Sequence, residues 1–318
     1  MIKIIFSSLI ILTIAINPLY ADNIRIGWQK QWATQGQITA SLMKLSSKYN
    51  KNIEFKGFSL GPQVNQGALA GKLDIAFLGD QPAINLLSKS DNWYIVGRLI
   101  YFRTCIASPI NSEINNINDL ANKSLSGGIG SSVQRMAITM MKEANLDINN
   151  INFHHLSPNN QKALVEANLT SQQWGNYDAI FTIDPVAAIL ETENKIKIIK
   201  CDNASGVIVA SKEMVEERNQ ELEEFFNLMK QSWNFYNNNI NQMNEEFSKI
   251  SRLTASDEAY EIAAKIEPNY RNNNINLLLT DIDHKNLEDA ANFLLKNKII
   301  DKKPDLSIKI NQKAARSQ

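Results

Sequence analysis

Gly71–Ile84 reads GKLDIAFLGDQPAI, and the fold is decided there. Leu73–Leu78 is an apolar run broken only by Asp74, the pattern of a strand buried on both faces of a parallel sheet. Gly79 and Asp80 turn the chain, and Pro82–Leu87 continues as a helix. Toward the N-terminus, Gly61 and Pro62 break the pattern and Val64–Ala70 makes a short helix. Ile53, Phe55 and Phe58 alternate as in a strand. Ile38, Leu42 and Leu45 recur with helical period over Gly36–Tyr49, and Asn23–Gly27 opens the series as a strand. The order βαβαβα belongs to a doubly wound α/β unit.

Toward the C-terminus, Tyr94–Ser108 (YIVGRLIYFRTCIAS) is a longer strand-like stretch, after which the alternation restarts. A short helix closes at Asp119-Leu120, a brief strand begins at Ser124, and Gly127, Gly128 and Gly130 make a turn. Ser131 caps a helix running to Glu143. Strands are expected at Ile151–His154, Asp178–Thr182 and Ile196–Lys200, and helices at Asn159–Ala167 and Pro185–Glu191. Gly206–Ser211 is one more strand, leading back to the first unit. Lys212–Ala290 is mostly helical, with Leu222, Phe225, Phe226, Met229, Trp233 and Tyr236 on one face; such a stripe is core and not a cofactor site. The expected organisation is one lobe from 22–104 with 206–318, which includes the C-terminal helices, and an inserted lobe from 105–205. Two chain crossings imply a two-stranded hinge, with ligand in the cleft where strand ends and helix N-termini meet.

The bulk composition is that of an ordinary globular protein. Of 318 residues 44% are hydrophobic and 21% charged, and Lys+Arg and Asp+Glu are both 33. A zero balance argues against a nucleic-acid partner, which needs excess cations to meet phosphates. At the N-terminus, Lys3, the apolar run Ile4–Ile16 and Ala21 before Asp22 describe a secretory signal peptide over residues 1–21, cleaved after Ala21. The run is shorter than the roughly 20 residues that span a bilayer. No Cys near the cleavage site offers a lipid attachment point, so the mature protein is expected to be soluble and exported to the periplasm. Cys105 and Cys201 are the two cysteines. An oxidising compartment permits a bridge between them, closing a loop of roughly a hundred residues for about 4–5 kcal/mol; two separate buried thiols are the alternative.

Five segments together resemble one family. They are IRIGWQKQWA (Ile24–Ala33), GKLDIAFLGDQPAI (Gly71–Ile84), DLANKSLSGGIGSSVQRM (Asp119–Met136), YDAIFTIDPVAA (Tyr177–Ala188) and NLEDAANFLLKNKII (Asn286–Ile300). In this order the chain resembles the periplasmic solute-binding proteins of ABC transporters of the nitrate, sulfonate and taurine type, which also include thiamine-precursor binders. The resemblance implies a type II, two-lobed α/β clamshell with two hinge-crossing strands and a helical C-terminal tail. It also implies a binding function without catalysis or cofactor, and delivery of a small anionic or zwitterionic ligand to the membrane permease of an ABC importer. The protein is expected to be a monomer.

Candidate ligand contacts fall on four turns. Gly130, Ser131 and Ser132 precede a helix whose N-terminus carries about half a positive charge and free N–H groups; in the family, the matching Gly-Ser-Ser turn holds the anionic head of the ligand. Trp28, Gln29 and Trp32 follow the first strand: Gln29 matches a polar position of the family, and the two indoles can line an apolar wall. Gly79, Asp80 and Gln81 form the third turn, and Thr182 and Asp184 the fourth. The two carboxylates oppose an anionic ligand unless a cation offsets them. Lys30 or Arg135 can do so, or the ligand carries an amine. His154 and His155, adjacent on a strand, point to opposite faces and make no metal site. The alternatives are a thiamine-precursor (pyrimidine) binder, a ligand sensor for a membrane receptor, and a pyrimidine-forming enzyme of the same fold, against which the export signal argues. Neither an HExxH nor a CxxC motif occurs.

Overall fold

In the computed structural model, which describes residues 23–49 and 51–317, the chain begins β1 (Ile24–Gln29), α1 (Gln35–Lys48), β2 (Ile53–Phe58), α2 (Gly61–Leu69), β3 (Ile75–Gly79), α3 (Asp80–Lys89) and β4 (Trp93–Pro109). It continues β5 (Ser124–Gly127), α4 (Ser132–Glu143), β6 (Asn152–His155), α5 (Pro158–Glu166), β7 (Ala179–Ile183), α6 (Val186–Thr192) and β8 (Ile196–Ser211). The rest is helical: α7 (Lys212–Glu216), α8 (Asn219–Asn238), α9 (Ile240–Ser251), α10 (Asp257–Ala264), α11 (Asp281–Lys296), α12 (Leu306–Lys309) and α13 (Lys313–Arg316). The expected signal peptide, with its cleavage after Ala21, lies outside the described residues.

One sheet runs through the molecule in the order β2-β1-β3-β8-β4-β7-β5-β6. β1 pairs in parallel with β2 and β3 in one half, and β5 pairs in parallel with β6 and β7 in the other. The halves share an antiparallel ribbon of β4 and β8, paired from Trp93↔Ser211 to Pro109↔Ile196. β3 joins one end of this ribbon through Gly79↔Gly206, and β7 joins the other through Thr104↔Ile183. The two expected strands at Ile196–Lys200 and Gly206–Ser211 are therefore one continuous strand. Residues 201–205 carry polar groups that interrupt the apolar pattern, yet their backbone pairs across the ribbon with Tyr101–Cys105. Cys105 and Cys201 face each other in this register and are joined by a disulfide.

β3 is buried along its whole length, as its apolar run requires. The stripe on α8 is core: Phe225, Phe226, Met229, Trp233 and Tyr236 are buried in one cluster with Ile38, Leu42 and Leu45 of α1. The C-terminal helices reach the other half as well, since Leu253 and Ala259 cluster with Ile180, Val186 and Ile189. Among the described residues no helix is long and apolar enough to cross a membrane.

Candidate ligand cleft

The C-terminal ends of the parallel strands in the two halves face each other across a small cavity. From one half come Gln29, Gln31 and Trp32 after β1, Ser59 and Leu60 before α2, and Gly79 and Pro82 around the start of α3. The other half supplies Ser131, Ser132 and Val133 at the start of α4, Pro158 of α5 and Ile183 of β7, while Phe102 enters from the ribbon. The cavity holds about 30 Å³, room for a water molecule or two. Across it the glycine turn before α4 leaves little room beside the start of α2. A Cβ built on Gly128 would lie 3.3 Å from a Leu60 methyl, and one on Gly130 3.5 Å from the Pro62 ring.

Four helices begin at this cavity, and at none of them does the N-cap side chain accept a first-turn amide. At α4, Ser131 holds the N-cap position, but its hydroxyl donates to Gly128 O at 2.6 Å and takes no amide. This corrects the expectation that Ser131 caps the helix. The first-turn N–H groups of a helix have no intrahelical partner, so those of α4 are left facing the cavity end. α2 begins after Leu60, a hydrocarbon side chain that accepts no hydrogen bond. Gln63 turns back to accept from the amides of Ser59 and Leu60, at 3.0 and 3.4 Å. α5 begins after Ser157, also uncapped, with Pro158 in its first turn. Only α3 closes its own end: the Asp80 carboxylate accepts from Gln81 N at 2.6 Å, and the Ser132 hydroxyl accepts from the same amide at 3.2 Å.

The apolar wall is Trp32 against Phe102, edge to face with centroids 4.6 Å apart. The Trp32 ring lies over Gly206, where a Cβ would come within 2.7 Å of it. Trp32 Nε1, a donor, and Gln31 Oε1, an acceptor, are buried at the cavity with no protein partner.

Of the residues expected from the sequence, Gln29, Trp32, Gly79, Ser131 and Ser132 line the cavity. The others do not. Trp28 alternates to the opposite face of β1 and is buried in the core with Ile26 and Ile38. Gln81 and Thr182 are buried beside the cavity without lining it, and Gly130 supplies the left-handed turn (φ 77°) that brings Ser131 in. Asp80 points away, to Arg135 at 2.5 Å. Asp184 points away too, held in two hydrogen bonds by Arg103 (2.9 and 3.0 Å) and accepting from Ala188 N at 3.0 Å. Burial works against the Arg103 charge, but the Asp184 and Glu191 carboxylates outweigh it and hold the guanidinium above its ordinary value. Both carboxylates are thus removed from the cavity by arginines: Arg135 was anticipated, Arg103 was not. His155 accepts from Ile129 N at 3.3 Å and His154 packs on the Tyr177 ring. Among the described residues no group of three or more His, Cys, Asp or Glu is arranged to hold a metal ion.

Gln31 and Ile183 fall within the expected turns, whereas sequence reasoning missed Ser59, Leu60, Phe102, Val133 and Pro158. One signal was available: Pro62, Pro82 and Pro158 each fall in the first turn of a helix that follows a strand, and first-turn prolines mark helix N-termini. Which ribbon residue faces the cleft depends on register, and no pattern announces it.

No protein-family model matches the sequence, and no curated protein matches it. Solved structures do. The chain is similar to the alkanesulfonate-binding protein SsuA from Xanthomonas axonopodis pv. citri bound to MOPS, with 18% identity over 91% of this chain and 97% of that one and a TM-score of 0.74. The periplasmic aliphatic sulphonate binding protein SsuA from Escherichia coli matches with 19% identity, 91% of both chains and a TM-score of 0.69. A mutant of the desulfurization enzyme DszB in complex with biphenyl-2-sulfinic acid matches with 12% identity, 93% of this chain and 98% of that one, at a TM-score of 0.66. The chain has the fold these proteins share, a fold that carries binding proteins and an enzyme alike.

Proposed function

We propose that this protein is an extracytoplasmic solute-binding protein. It closes on a small anionic or zwitterionic ligand of the sulfonate, taurine or nitrate kind and passes it to the permease of an ABC importer. One observation carries the reading: three uncapped helix N-termini converge on a cavity whose lining holds no charged side chain. Helix ends and hydroxyls offer partial positive charge and N–H or O–H donors without a counter-ion. Such a site suits an anion that stays ionised and needs no proton from the protein. Trp32, Phe102, Leu60 and Ile183 supply apolar surface for a carbon substituent. The sulfonate-binding structural neighbours point the same way.

In this reading residues 1–21 direct export to the periplasm, and 22–104 with 206–318 form one lobe and 105–205 the other. The protein acts as a monomer whose lobes turn about β4 and β8. Binding is favoured over catalysis of the DszB kind because the cavity lining includes neither Cys nor His, and both cysteines are bridged. The test is a thermal-shift screen of residues 22–318 against alkanesulfonates, taurine, nitrate and aminopyrimidines. A ligand at ~100 times its Kd stabilises the fold by ~2.7 kcal/mol, so a sulfonate or taurine is expected to raise Tm. A response to aminopyrimidines alone replaces this reading with a thiamine-precursor binder. No response to any anion removes the anion site.

A further inference from the structure

We propose that Asp80 and Arg135 form an ionic latch across the cleft, and that Arg135 is a positioning residue that readies the cavity for an anion. The first part stands on geometry alone; the second rests on the anion-binding function proposed above.

Asp80 opens α3, which follows β3 in one half, and Arg135 lies on α4, which follows β5 in the other. Their charged groups meet at 2.5 Å with side chains 0% and 3% exposed. The same junction holds the Gln81 N–H on the Ser132 hydroxyl at 3.2 Å. The cavity behind it takes a water molecule or two, so no solute with a carbon chain enters unless α2 and α3 part from α4 and α5. Parting them breaks the Asp80–Arg135 contact.

The two charged groups are joined by a single bond, and Asp80 also accepts from the Gln81 and Ser205 amides. Arg98 and Glu267 show the contrasting case, a buried fork with two N–H···O bonds at 2.7 and 2.8 Å and further bonds to Tyr101 N and Asn276 O. Arg135 makes one bond to Asp80, and its Nε is buried without a partner. On its far side Arg135 borders a groove of about 730 Å³ between α4 and α11, beside Met136, Asn286 and Phe293. Water in this groove can solvate the guanidinium as the halves separate.

The latch also sets the charge of the site. Asp80 places a full negative charge in the first turn of a helix that starts at the cavity wall, where it offsets the positive end of the α3 dipole. Once Arg135 docks, the carboxylate is neutralised and the uncapped end of α4, three residues upstream, lies over the cavity. The docked latch thus removes the charge that opposes an anion.

The experiment compares wild type with Arg135→Gln, Asp80→Asn, the double variant and Arg135→Lys, each checked for a folded melt. Small-angle scattering without ligand reads the latch: both single neutralisations are expected to enlarge the radius of gyration, and an unchanged radius in both overturns the latch. Calorimetric titration with methanesulfonate and MOPS reads the charge role. Arg135→Gln is expected to lose on the order of 100-fold in affinity, because a buried carboxylate is left unpaired beneath the anion. Asp80→Asn loses less, and the double variant and Arg135→Lys recover to within about tenfold of wild type. Wild-type affinity in Arg135→Gln, or an equal loss in Asp80→Asn, overturns the charge role. Should wild type bind neither probe, the anion-binding function fails with the charge role, and the scattering result alone decides the latch.

Discussion

At Gly127 there is no room for a methyl group: a Cβ there would stand 2.3 Å from the Phe181 ring and 2.4 Å from the Phe181 carbonyl oxygen. The ring can turn, but the backbone of the adjacent strand β7 cannot. Gly127→Ala is therefore expected to cost at least ~1–3 kcal/mol, seen as a lower urea midpoint with an unchanged m-value. The sequence marks Gly127 as part of a turn, yet the partner that makes glycine obligatory lies on another strand and enters only through sheet pairing. Arg98 and Glu267 tell a similar story. Burial works against the Arg98 charge, and the Glu267 carboxylate overrides it and holds the guanidinium above its ordinary value. Glu267→Gln leaves that charge buried and unpaired, for an expected ~3–5 kcal/mol loss of stability by denaturant titration. Neither residue stands out in the sequence, because an ion pair between a strand and a loop has no spacing rule.

Helix α4 shows what an element contributes beyond its residues. Its N-terminus has no side-chain cap because Ser131 donates its hydroxyl to Gly128 O, and in the proposed function that end meets the anion. Ser131→Asp puts a competing carboxylate on the same amides, and a sulfonate ligand is expected to bind at least tenfold more weakly, about 1.4 kcal/mol by calorimetry. Unchanged affinity would take α4 out of the site. The β4–β8 ribbon is the second such element. Cys105 and Cys201 are opposed within it and close a loop of 96 residues. By loop entropy the bridge is worth up to about 4–5 kcal/mol, so dithiothreitol, or the variant with both cysteines changed to Ala, is expected to lower Tm well beyond scan error. The βαβ elements themselves were legible from period and breakers. The continuity of β8 was not, because polar residues at 202, 203 and 205 mimic a loop, while the pairing that makes them a strand comes from β4.

For the whole molecule, Gly79 of one half stands against Ser132 of the other. A Cβ on Gly79 would lie 2.5 Å from Ser132 Oγ, although the backbone there (φ −70°, ψ 164°) is one that any residue adopts. Gly79→Ala is therefore a wedge between the halves and not a folding defect. Ligand affinity is expected to fall by roughly 1–3 kcal/mol, with the ligand-free melt nearly unchanged. A parallel fall in both quantities would show that the contact belongs to the fold and not to closure.

The sequence by itself determined the alternation of strand and helix, the two parallel α/β units, the apolar stripe of α8 and the turns at which a site could lie. All of these are local: each rests on a period of 2 or 3.6 residues or on a Gly or Pro break within one element. Tertiary structure alone decided which residues of those turns face the cavity. It sent Trp28 to the core and Trp32 to the cleft, withdrew Asp80 and Asp184 to arginines on other elements, and brought in Phe102 and Leu60. The physical reason is that a side chain's facing is set by strand register, and its charge by whichever partner packs against it. Both are properties of elements meeting in space, between residues far apart in the chain.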